Sequence, residues 1–123
     1  MPYVIPIAFM SSAYQAPNVP AEKLTPTFVR DELLHCFESA NGEFMQLLNQ
    51  SVTDEALKAQ VHQFVNDVFQ KCGVSYENPT KTGILTAINE CKKNAETMMG
   101  PKGANIIAHH YDEMMKLVNK LHS

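Results

Sequence analysis

His109-His110-Tyr111-Asp112-Glu113 is the densest run of functional side chains in this sequence. On a helix, His109 with Glu113, four apart, and His110 with Glu113, three apart, come within pairing reach. Two imidazoles and a carboxylate are also a candidate ligand set for a metal ion. At about 100° per residue, His109 lies away from the apolar stripe of its helix, His110 at the edge and Tyr111 within it. The histidines therefore read as surface residues, and Tyr111 as a core residue whose hydroxyl reaches outward.

A second set depends on topology. If four helices alternate in direction at roughly 1.5 Å per residue, Cys36 on the first, Cys91 on the third and His110 on the fourth come to similar heights. Two thiols and an imidazole suit zinc or another transition metal. Cys72 falls near the bottom, out of reach. Each cysteine also occupies an apolar stripe position, where a free thiol behaves as a small hydrophobe, and there is no Cys-x-x-Cys spacing. Cys36, Cys91 and His110, with His109 and Glu113, are thus the residues of an alternative reading as a metal- or small-ligand-binding protein. The leading reading has no cofactor and no catalytic residue.

Glu32-Leu33-Leu34-His35 has the Glu-x-x-His spacing of di-metal carboxylate bundles, where both side chains point inward. Here His35 falls nearly opposite the apolar stripe and Glu32 at its flank, and no second copy exists. The pair reads as a solvated face. No phosphate-cradling Gly-rich loop and no Gly-x-Ser-x-Gly elbow is present.

The elements that would position these residues are helical. From Pro26 the stripe Val29, Leu33, Cys36, Phe37, Ala40, Phe44, Leu47, Leu48 advances in helical steps, with Thr25 as N-cap and an end near Asn49. A second helix starts at Ser51 or Thr53, carries Leu57, Val61, Phe64, Val65 and Val68, and closes at Gly73. Asn78-Pro79 reads as the cap-then-proline start of a third, bearing Ile84, Ile88, Cys91, Ala95, Met98 and Met99. The fourth, from about Pro101 or Ala104 to Leu121, carries Ile107, Tyr111, Met114, Met115 and Val118. The expected fold is all-α: an up-down antiparallel four-helix bundle over residues 26–123, with an extended proline-rich arm over residues 1–25. Gly100-Pro101 is its weak link, because a kink there instead of a reversal would leave another subunit to complete the bundle.

Size and charge bound the function. A chain of 123 residues, 45% hydrophobic and 19% charged, can bury roughly two thirds of its unfolded surface as one domain. A net charge of −3 with scattered Lys and Arg gives no field for nucleic acid, and no run is long enough to cross a bilayer. MPYVIPIAFM lacks the basic start of a secretory signal, and three cysteines read as reduced thiols, so the expected location is cytoplasmic. The apolar arm lies across its own bundle or crosses onto a second subunit. The Met98-Met99 and Met114-Met115 pairs fill the core or line an adaptable groove for a partner helix. The leading functional expectation is a non-catalytic protein-association or regulatory module, acting as a homodimer.

Overall fold

Three threonines start three of the helices. Thr25 Oγ1 accepts the Phe28 N–H at 3.2 Å and opens α1, Pro26–Leu47, with Pro26 in the first turn. Thr53 accepts the Ala56 N–H at 3.2 Å and opens α2, Asp54–Cys72, whose first turn carries Asp54 and Glu55 against the helix dipole. Thr80 accepts the Gly83 N–H at 3.0 Å and opens α3, Lys81–Met99. This last start corrects the Asn78-Pro79 reading. The Asn78 N–H is taken by Ser75 Oγ at 3.0 Å, and Pro79 is buried, so both belong to the connector. The computed structural model describes residues 14–121.

Two helices close alike. Asn49 (φ 59°) and Gly73 (φ 70°) take the left-handed conformation. In each case the next residue donates back to the helix: Gln50 N–H to Met45 O and Val74 N–H to Phe69 O, both 2.9 Å. Glycine at 73 avoids the steric cost of a Cβ at positive φ. α1 thus ends at Leu47, two residues before the expected stop.

The fourth helix, α4, Ala104–Lys120, follows α3 without a break in helical structure, through a 3-10 turn at Gly100–Gly103. The chain nevertheless doubles back there. Tyr111 Oη donates to Asn89 Oδ1 at 2.6 Å, whereas 22 residues of straight helix would separate the two by roughly 33 Å. Gly100 turns at φ 70°, and a Cβ on Gly103 would lie 2.5 Å from that of Met99, so the reversal is tight enough to require glycine.

α1 packs against α2 and α4, α3 against the same two, and α1 and α3 also approach each other. Val29, Leu33, Val61, Val65, Ile84 and Val118 are wholly buried between them, and Ile88 is 2% exposed. Each such side chain contributes roughly 1.5–3 kcal/mol on leaving water. No strand occurs among the described residues. None of the helices described is long and apolar enough to cross a membrane.

Of the expected arm, residues 1–13 lie outside the described residues. Residues 14–24 are non-helical apart from a 3-10 turn at Ala21–Lys23, and Tyr14, Ala16, Val19 and Leu24 pack on the core. At the same end of the molecule, Arg30 fastens the α2–α3 connector. Its guanidinium donates to Tyr76 O at 2.5 Å and lies 4.7 Å from the centre of the Tyr76 ring, whose edge meets Phe69.

Candidate functional site

The polar run on α4 meets α1 beneath the N-terminal segment. His110 is only 3% exposed, contrary to its expected surface position, because Tyr14 stacks over its ring with centroids 6.3 Å apart. Its Nδ1 lies 2.7 Å from Ile106 O, an atom that can only accept, so Nδ1 carries the hydrogen. In the neutral ring Nε2 therefore accepts from Ser39 Oγ, 3.1 Å away. Burial pushes the imidazole below its ordinary pKa, partly offset by the bond to Ile106.

Glu43 stands one turn beyond Ser39 on α1. Its Oε1 is buried 4.0 Å from His110 Nε2 and finds no hydrogen-bond partner among the described residues. Burial accordingly raises its carboxyl above the usual range, against an opposing pull from His109. Cys36 completes the α1 side by donating its thiol to His110 O at 3.5 Å.

The remaining groups hold the N-terminal segment. Tyr14 Oη donates to Glu32 Oε1 at 2.6 Å, His109 Nε2 lies 3.0 Å from Tyr14 O, and the Ala16 N–H donates to Glu113 Oε1 at 2.9 Å. Glu113 takes its other bond from Lys116 Nζ at 2.6 Å, and these two donors, Lys116 first, lower its pKa. Neither expected His–Glu113 pair forms, because the carboxylate turns to Lys116 and the segment. Glu32, expected on a solvated flank, is half-buried beneath Tyr14, while His35 stays 64% exposed beside Glu38.

The proposed thiols lie among packing contacts. Cys36 and Cys91 are buried in one apolar core, all three cysteines are free, and burial pushes the Cys91 thiol up to about 12. Beyond burial, the neighbouring Cys72 and Glu90 push the Cys91 thiol in the same direction. Both ring nitrogens of His110 already have partners. Among the described residues, no group of three or more His, Cys, Asp or Glu side chains is placed to hold a metal ion.

Ser39 and His110 share the hydrogen-bond contact of a nucleophile and its base. The cavity beside Cys36 and His110 is about 10 Å³, the lower limit for one water molecule. Ser39 and Glu43 were missed as part of this cluster, although Glu32, Cys36, Ser39 and Glu43 follow steps of four, three and four that place them on one face of α1.

A larger space opens where α1, α2 and α3 converge at the opposite end from Tyr76. This cavity of about 220 Å³ is lined mainly by Phe37, Phe44, Met45, Phe64, Met98 and Met99. The exposed large hydrophobic residues, Met98 at 73% and Leu47 at 56%, belong to the same end. Comparison of the chain with protein-family models, curated proteins and solved structures found no match.

Proposed function

We propose that the protein is an association module: an up-down antiparallel four-helix bundle over residues 26–123, with an extended proline-rich arm over residues 1–25, that acts as a homo-oligomer without catalysis. The observation that carries this reading is the Phe- and Met-lined cavity with Met98 exposed at its mouth. Methionine is flexible and polarizable, which suits a surface that must fit an incoming side chain. The bonds of His110 to Ser39 and Ile106 support a structural role for that cluster, and three free cysteines suit a reducing compartment such as the cytoplasm. Size-exclusion chromatography with light scattering at micromolar concentration tests the proposal. A mass of twice 13.8 kDa is expected. A monomer at every concentration, unaffected by deletion of residues 1–20, would overturn it.

A further inference from the structure

The apolar end cavity continues along the groove between α2 and α3, since Phe64 and Met98 line both. Beyond them the groove is floored by Val68 and rimmed on α2 by Asp67 and Lys71. Its remaining rim, on α3, is the uncharged pair Asn94 and Thr97. Asp67 and Lys71 are exposed and one helical turn apart, and Asp67 Oδ1 takes the Gln63 side-chain amide at 2.8 Å.

We infer that this α2–α3 face binds a second copy of the chain about a twofold axis close to residue 69. This deepens the association reading and rests on it. A twofold contact brings one patch against itself, so any charge on it must meet its own complement. Opposite charges at i and i+4 on a helix that crosses its own copy antiparallel satisfy that condition. Asp67 of each protomer then faces Lys71 of its partner, and Lys71 faces Asp67. Met98, 73% exposed, and the half-buried Phe64 supply the apolar surface whose burial gives the affinity. The rim charges contribute little affinity and fix the register, since a slipped or parallel arrangement sets like charges opposite each other. A second copy is favoured over an unrelated partner by this self-complementarity.

Asp67→Lys and Lys71→Asp test the register through light scattering and sedimentation. Each variant alone places like charges across the axis, and each is expected to dimerise at least about tenfold more weakly than the native chain. Mixed together, the two regain the opposite pairs and are expected to form a heterodimer of near-native affinity, as is the double variant with itself. Both positions are exposed, so folding is expected to survive, and circular dichroism checks that it does. A native chain that dimerises while both single variants dimerise equally well would overturn this face and leave the association reading intact. Failure of the mixture to restore pairing would overturn the twofold register. A native chain that never dimerises removes both proposals.

Discussion

His110 ties pH to stability through its burial. Its pKa in the folded chain lies below the ordinary 6.5, so as pH falls through that value the unfolded chain binds the proton first and folding weakens. Glu113 acts in the same direction at lower pH: its carboxylate is stabilised in the fold, and that contribution fades as pH falls below about 4.5. Glu43, with its pKa raised, opposes both near the carboxylate range, because the folded chain takes up its proton first. Urea midpoints measured between about pH 7.5 and 5.5 should therefore fall with acid, and His110→Gln should flatten the slope in that window. Equimolar zinc should leave the thermal midpoint unchanged. A stoichiometric metal in untagged protein, lost in His110→Gln, would instead restore the Cys36, Cys91 and His110 set. Little of this cluster was legible in the sequence: a helical wheel places His110 relative to its own helix, whereas its cover comes from α1 and from Tyr14 in the distant N-terminal segment.

Helix limits were more readable, since a cap is decided by neighbours a few residues apart. Thr25-Pro26 and Gly73 act as their types imply, and Thr53 was one of two candidates for its helix. Asn78-Pro79 misled because two start signals adjoin, and Ser75 had already engaged the Asn78 amide. Thr80→Ala should consequently cost about 1 kcal/mol in chemical denaturation, and Asn78→Ala distinctly less. Within α1, Leu33→Ala should cost about 2–5 kcal/mol, because the side chain is wholly buried and its neighbours span several helices. Gly103→Ala should also destabilise the chain by driving Met99 out of place at the α3–α4 reversal, and a thermal melt would register it.

For the molecule as a whole, the all-helical class followed from the period of the stripes, and Val29, Val61, Ile88 and Val118 are buried as those stripes require. The polar seam between the N-terminal segment, α1 and α4 did not follow, because its bonds join residues as far apart as Ala16 and Glu113, a separation of 97. Deleting residues 1–19 removes the Tyr14 and Ala16 bonds to Glu32, His109 and Glu113. It should lower stability by roughly 1.5–4.5 kcal/mol, at 0.5–1.5 for each of the three bonds, while circular dichroism retains the helical signal. The same seam has a topological consequence. Asn18 and Lys120 line one cleft, so the segment that carries Asn18 rests beside the last helix. A short linker between the ends, with a new opening in the exposed Asn49–Ser51 turn, should yield a circular permutant that rebuilds the same core from a reordered chain.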